Sequence, residues 1–494
     1  MKEAVIIGSG LGGLSTALRL SSMGYKITII EKHSTPGGRL NQLKLDGFTF
    51  DLGPSFMSMS YELEELFKSS KIKNPIKLKE LDPLYQVNFE KNNKSYLVYK
   101  DLKKLEEEFK ALEPNLSVKA EKYLKKAGEF FHDTELKVVK SNFNNIAEYI
   151  LQLSSVPVKH LPYLYKKMWS EVEKNFTSEE VRVIFSLVAF FLGSTPFKTP
   201  AIYSLLNYTE MKNDGYWLVE GGMYKIVEEL VRILKERNVE FIFNTEIIAV
   251  NNSNGKLISL LDNHDISWEA DIFISNSDAA LFRGKVLGRK KFSERKLDKM
   301  DWTLAPFTIY LGVKGKIDKL IHHNYFLGNN FRGYADKIFT SSINPQKPYY
   351  YVNASSKSFP ESAPEGCENL FILCPVPDKR FKRNWNDKKE LAENIISDLS
   401  KRTGFDINKN LLVKEILSPD DWESKFNLYR GSGLGLAHGI KQVGAFRPRN
   451  KDEVFPNLYY VGASTTPGTG LPMVIISSKL VTERIQKDYG SLIS

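Results

Sequence analysis

Gly8, Gly10 and Gly13 fall in the pattern G-x-G-x-x-G between an apolar run, Ala4 to Ile7, and a segment of helical period, and a second apolar run ends on Glu31. These residue types at this spacing are suited to gripping a pyrophosphate. Glycine at position 8 allows a tight turn out of a strand, at 10 it lets backbone N–H groups approach a diphosphate at a helix N-terminus, and at 13 it lets the helix pack close on the sheet. Glu31 ends the second strand where a carboxylate bonds a ribose hydroxyl pair. No arginine stands beside it to receive a 2′-phosphate, which favours an NAD- or FAD-type ribose over NADP. The Gly37-Gly38-Arg39 triplet points to FAD, because its backbone can run beside a diphosphate while Arg39 supplies a bidentate donor to phosphate or flavin oxygens.

Such residues need a βαβ unit to hold them, and the length permits much more. With 494 residues, 42% apolar and 26% charged, the chain should divide into two or three globular units. Its formal charge of +10 admits nucleic acid or an anionic membrane as partner. No basic tract interleaved with aromatics marks a nucleic-acid motif, so no nucleic acid is expected and the membrane surface is the better reading. Two cysteines, Cys367 and Cys374, exclude a disulfide scaffold and fit a reducing compartment. The first apolar segment is already the nucleotide-type strand, so no secretory signal is expected. The longest apolar run, Val183 to Gly193, falls short of the roughly 20 residues that span a bilayer, which leaves monotopic attachment or a buried helix.

Further along, Phe48 and Phe50 alternate in a strand that Gly53-Pro54 stops. Tyr61 to Ser69, Leu102 to Leu112 and Lys119 to Phe131 have helical period. Lys159, Lys166 and Lys167 with Tyr163, Tyr165 and Trp169 suit either a lipid headgroup layer or a solvated basic helix. Gly221 and Gly222 precede a helix from Tyr224 to Arg237; Val239 to Ile248 and Ala270 to Asn276 read as strands. The aromatic strands Pro306 to Gly312 and Tyr349 to Asn353 suit either ordinary core or the wall of a hydrocarbon cavity. His322 and His323 point to different faces of a strand with no third ligand in view, so no metal is expected. Near the end, Val461 leads into Gly462, Gly468 and Gly470, and Pro472 stands at the start of a helix whose free N–H groups suit the pyrimidine side of a flavin.

The N-terminal fingerprint, the Gly37-Gly38-Arg39 triplet, Gly47-Phe-Thr-Phe-Asp-Leu-Gly-Pro-Ser55 and the Gly462 to Met473 ending together resemble the bacterial carotenoid desaturases of the phytoene desaturase type, within the FAD amine-oxidase-like superfamily. The resemblance implies an α/β fold: a discontinuous Rossmann-like FAD-binding domain (1–75, 215–282 and 452–494) carrying an inserted α+β substrate domain (76–214 and 283–451) with a helical membrane-facing part. FAD would be the sole redox cofactor. Its contacts would be Gly8, Gly10, Gly12, Gly13, Glu31, Lys32, Gly38, Arg39, Gly53, Pro54, Ile247, Gly462, Gly470 and Met473, with Ile247 meeting the adenine through its backbone. The substrate would be a long isoprenoid hydrocarbon, phytoene or a relative, desaturated at the inner face of the cell membrane by a cytoplasmic, peripheral enzyme. Oxygen or a quinone would be the terminal acceptor.

A hydrocarbon offers no polar handle, so binding must come from apolar burial at about 25 cal/mol per Å2. Hydride loss from an allylic C–H leaves a cation acidic enough to need no tuned base, and no catalytic residue is assigned. Glu220 and Arg39 are possible charge partners near the ring. Open alternatives are a C30 dehydrosqualene (diapophytoene) desaturase, a carotenoid 3,4-desaturase, a terminal oxidase or a saturase. Beyond these stand a flavin amine oxidase and a non-catalytic prenyl-binding protein of the GDP-dissociation-inhibitor type.

Overall fold

The computed structural model describes residues 2–340 and 347–490. Its first layer is a five-stranded parallel sheet drawn from three distant parts of the chain, in the order Leu458–Tyr460, Ile272–Ser275, Glu3–Ile7, Lys26–Ile30, Glu240–Ile242. Strands of a parallel sheet are covered on both faces and therefore read as continuous apolar runs. Ile6, Ile27, Ile29, Ile272 and Ile274 face one core with the helices Leu11–Ser22, Lys225–Glu236 and Leu471–Tyr489. Val5, Ile7, Phe273 and Tyr460 face the other, beneath the antiparallel meander Ile247–Ser253, Lys256–Asp262, Ser267–Glu269.

The expected strand from Val239 to Ile248 is in fact two strands in two different sheets. Asn244 lies between them with φ +56°, a left-handed conformation that asparagine tolerates, and turns the chain from one sheet to the other. Apolar residues stand close on both sides of that turn, Phe243 before it and Ile247 after it, which is why the sequence pattern conceals it.

A second, seven-stranded sheet has the order Leu411–Leu417, Ala305–Lys314, Cys367–Val376, Tyr350–Asn353, His323–Leu327, Tyr85–Phe89, Lys94–Val98. Its strand pairs are antiparallel except for Tyr85–Phe89 against His323–Leu327. The period of two divides its side chains cleanly. Phe307, Ile309, Phe326, Val352 and Ile372 pack under Leu391, Ile395, Ile396 and Leu399 of the helix Lys388–Thr403. Thr308, Tyr325, Leu327, Tyr351, Phe371 and Leu373 face inward to a cavity. The hairpin Gln42–Leu45/Phe48–Asp51 follows the nucleotide-type unit in sequence, yet Phe48 and Phe50 pack with Tyr310 and Phe371 of this second sheet and with Trp422 of the helix Pro419–Phe426. It joins the two layers.

Helices Leu102–Phe109 and Leu116–Thr134, with the shorter turns up to Asn213, close the far side. The run Val183 to Gly193 is not a surface anchor: it breaks into short helices whose Leu187, Val188 and Leu192 are buried along the cavity. Trp169 is likewise buried, against Phe197 and Phe331, and leaves the headgroup layer proposed for it. Among the described residues no helix is long and apolar enough to cross a membrane, and none of the His, Cys, Asp and Glu residues forms a group able to hold a metal.

Candidate functional site

One continuous cavity of about 1060 Å3 runs between the two sheets. All the expected cofactor contacts line it except Gly13. Gly13 supports the site from behind: a Cβ there would lie 2.2 Å from the carbonyl oxygen of Gly8, so the helix Leu11–Ser22 lies on the strand end at a distance only glycine permits.

At one end of the cavity the backbone is bare. Gly10 caps the helix Leu11–Ser22 with no side-chain hydrogen bond, and a Cβ on Gly38 would sit 3.4 Å from the Gly10 Cα. Glu31 is buried beside this strip. Its Oε2 accepts from both the N–H and the hydroxyl of Ser9 at 2.8 Å, and its Oε1 accepts from the His33 N–H at 3.0 Å. The carboxylate therefore shapes the glycine loop and keeps lone pairs for a hydroxyl. Lys32 is half-buried next to it, with its pKa lowered by desolvation against the pull of Glu246 and Glu31. Ile247 is buried at the same end, with Val5, Ile7 and Ile30.

Sequence reasoning missed Asn276, which lies directly over the glycines. A Cβ at Gly10 would meet its Nδ2 at 2.8 Å, one at Gly12 its Oδ1 at 2.5 Å and one at Gly462 its Oδ1 at 3.0 Å. The one signal available is a polar residue at the C-terminal end of a central parallel strand, Ile272–Ser275, which is where ligands of open α/β sheets bind.

In the middle of the cavity Arg39 donates to the Gly433 carbonyl at 2.9 Å, and burial lowers its pKa against the attraction of Asp278. Gly53 and Pro54 lie alongside it. The helix Leu471–Tyr489 begins at Gly470, φ +110°, again with no side-chain cap, so a second helix N-terminus opens into the same space. The loop before it hangs on Arg447, fully buried, whose guanidinium donates to the carbonyls of Leu436, Ala437, Gln442, Ala463 and Thr465. His438 also lines the cavity, and its Nε2 accepts from the Thr469 N–H at 3.2 Å, which makes it a neutral imidazole. Nothing in the sequence sets Arg447 or His438 apart. Glu220, by contrast, is exposed on its turn and does not line the cavity, so it is no partner for the ring. Gly221 and Gly222 also lie outside the lining.

Beyond this point the walls turn aromatic. Phe56 lies 4.3 Å from the ring of Tyr216 and 5.7 Å from that of Phe191, and Tyr325 lies 5.2 Å from that of Tyr351. Burial disfavours charge on the polar groups here. Tyr351 bonds Ser55 at 2.7 Å and Nδ1 of His323 at 2.6 Å, and burial carries the His323 pKa far down. Behind Tyr216, burial pushes the Glu210 carboxyl up to about 7, and that of Asp51 likewise to about 7 against a hydrogen bond from the Met223 N–H. A compartment with two open helix ends at one side and neutral aromatic walls at the other takes an anionic dinucleotide and an apolar chain together. FAD fits the first: bare glycine backbone, a ribose-type carboxylate and two uncapped helix starts suit a diphosphate and a flavin ring.

Comparison with known proteins agrees with that reading. The family described as flavin containing amine oxidoreductase matches residues 11–486. A zeta-carotene-forming phytoene desaturase of Myxococcus xanthus is 32% identical, over 98% of this chain and 94% of its own length. A carotenoid 3,4-desaturase of Haloarcula japonica is 29% identical, over 99% of each. Among solved structures, an oxidoreductase from Methanosarcina mazei has the same fold, with TM-score 0.64 and 16% identity over 97% of this chain and all of its own. A cofactor-binding variant of putrescine oxidase does too, with TM-score 0.63 and 12% identity over 98% and 99%.

Proposed function

Because the chain belongs to the flavin containing amine oxidoreductases, and among them to the carotenoid desaturases, we propose that it introduces conjugated double bonds into phytoene or a near relative. It is an FAD-dependent oxidoreductase acting on CH–CH bonds. The observation that carries the substrate reading is the join of a dinucleotide cradle to a neutral aromatic chamber in one cavity.

Gly8, Gly10, Gly12 and Gly38 hold the diphosphate, Glu31 the ribose, Lys32 and Ile247 the adenosine end, and Arg39, Gly53, Pro54, Gly462, Gly470 and Met473 the ring. Bound FAD supplies the hydride acceptor for an allylic C–H. The chain's own task is to position and to keep dry. Phe56, Tyr216, Tyr325 and Tyr351 present ring faces and edges to an extended polyene, and their quadrupoles stabilise positive charge that develops on it. Burial keeps His323 a neutral imidazole, so no imidazolium stands here to repel that charge. Arg39 and the start of the helix Leu471–Tyr489 place positive potential on the ring side.

Incubation with phytoene and with dehydrosqualene, followed by chromatography of the pigments, tests this directly: a coloured polyene from either supports it, and none from either refutes it. Glu31→Gln is expected to weaken FAD retention by about tenfold to a hundredfold, the weight of a charge-assisted hydrogen bond of about 1.5–3 kcal/mol. Equilibrium dialysis against FAD measures it.

Membrane attachment belongs to the same reading. Leu151, Val158 and Tyr165 are more than 70% exposed, and Leu136, Ile150 and Leu161 lie in the same helical stretch. The stretch also carries the exposed Lys159, Lys166 and Lys167, while its Leu153, Val156 and Leu164 line the cavity. An apolar rim with lysines around the opening lets a hydrocarbon pass from lipid to protein without crossing water. Leu151→Asp with Val158→Asp is expected to lower co-sedimentation with anionic vesicles by about tenfold or more, from roughly 1.5–3 kcal/mol per buried side chain.

A further inference from the structure

The inner end of the main cavity has a thin wall. A small second cavity opens at the surface beyond it, lined by Phe89, Lys91, Glu179 and Val183, and the residues it shares with the main cavity are Leu327 and Phe331. Each is 5% exposed. Phe331 packs on Trp169, Phe190, Phe197 and Tyr349, whereas Phe131 and Val139, also in the cavity wall, pack in a different cluster with Met59 and Met473.

The backbone behind the wall is fixed. The Asn330 side chain accepts from the Gly333 N–H at 2.8 Å, and the Asn330 N–H donates to the Tyr349 hydroxyl at 2.9 Å, while Tyr349 stacks on Tyr334 with centroids 4.2 Å apart. Leu327 ends the strand His323–Leu327, and its carbonyl accepts from the Glu90 N–H at 3.0 Å. On the outer side, beside Phe89 and Val183, stands an exposed ion pair, Lys91 with Glu179, of the kind that contributes little. The side chains of Leu327 and Phe331 therefore separate the chamber from the surface, on a frame that does not move with them.

We propose that Phe331, with Leu327, is the stop that limits how far a hydrocarbon chain enters, and so sets the chain length the enzyme prefers and which carbon–carbon bond lies at the reacting position. The inference rests on the hydrocarbon reading above and adds a specificity-determining residue to it. A chain that reaches the stop cannot bury another methylene; removing the ring opens the way into the outer cavity, and a larger ring closes it sooner.

The test is a pair of opposite substitutions in the flavin-loaded protein. Binding of two saturated isoprenoids, squalane (C30) and lycopersane (C40), is measured in detergent micelles for the unmodified protein, Phe331→Ala and Phe331→Trp. Phe331→Ala should raise the C40-to-C30 affinity ratio by about tenfold, the gain from two or so further buried methylenes, and Phe331→Trp should lower it. Loss of packing alone would move both ratios in one direction or neither. Leu327→Phe, which narrows the wall from the strand side, should follow Phe331→Trp and serves if Phe331→Ala does not fold. Ratios that stay unchanged while the unmodified protein binds both alkanes would overturn the stop. Failure of the unmodified protein to bind either would overturn the hydrocarbon reading itself.

Discussion

Gly13→Val is expected to yield a protein that purifies colourless and unfolds at far lower urea than its parent. The first atom added would stand 2.2 Å from the Gly8 carbonyl oxygen and 3.3 Å from the Ile6 Cγ2. Ile6 belongs to the central strand of the parallel sheet and Gly8 follows its last residue, so neither can move without carrying the glycine loop along. Overpacking of a core costs about 1–3 kcal/mol when side chains can adjust, and more where only backbone is met. The damage should reach the cofactor because the displaced element is the one whose first N–H groups would face a bound diphosphate. Gly221→Ala is the control: no heavy atom stands within 4 Å of its added Cβ, and the position lies outside the cavity. That variant should lose about 1 kcal/mol to its φ of +85° and keep its flavin. Flavin absorbance per mole of protein, with urea unfolding, distinguishes the two.

Arg447→Met is the second large effect. Five carbonyl oxygens, from 2.7 to 3.2 Å away, lose their donor at once, in a place where water cannot replace it. Burial brings this guanidinium down to about 10 against the attraction of Tyr203 and Asp278, so it remains a cation that those carbonyls solvate. Breaking a buried charged network costs about 3–5 kcal/mol, a large share of the roughly 5–15 kcal/mol that holds a domain folded. The carbonyls belong to the loops 436–442 and 463–465, so the loss should show as weaker flavin retention as well as a lower unfolding midpoint. Arg447→Lys should recover only part of it, because an ammonium has three donors and no fork.

The site was legible where function rests on backbone. Glycines at 8, 10 and 13 and an acid at 31 have few alternative explanations in that spacing, and the chain puts them where the pattern says. The resemblance at Gly462 to Met473 was equally readable, since a helix start after a glycine run has one geometry. Side chains that act through tertiary contact left no such trace. Asn276 looks like any polar strand end until the sheet brings it over Gly12, and Arg447 is one basic residue among 69. Glu220, a possible charge partner for the ring by its sequence, is exposed on its turn. Val183 to Gly193 was ambiguous for a physical reason: an apolar run packs as well against a hydrocarbon cavity as against lipid, and periodicity does not tell the two apart.

The most direct test of the account is anaerobic addition of phytoene, in vesicles, to the purified yellow protein, with flavin and polyene absorbance followed in the same cell. The account predicts that flavin colour falls as conjugated-polyene absorbance rises, one double bond for each flavin bleached, and that an alkylamine leaves the colour unchanged. Bleaching by the amine with no response to phytoene would contradict it.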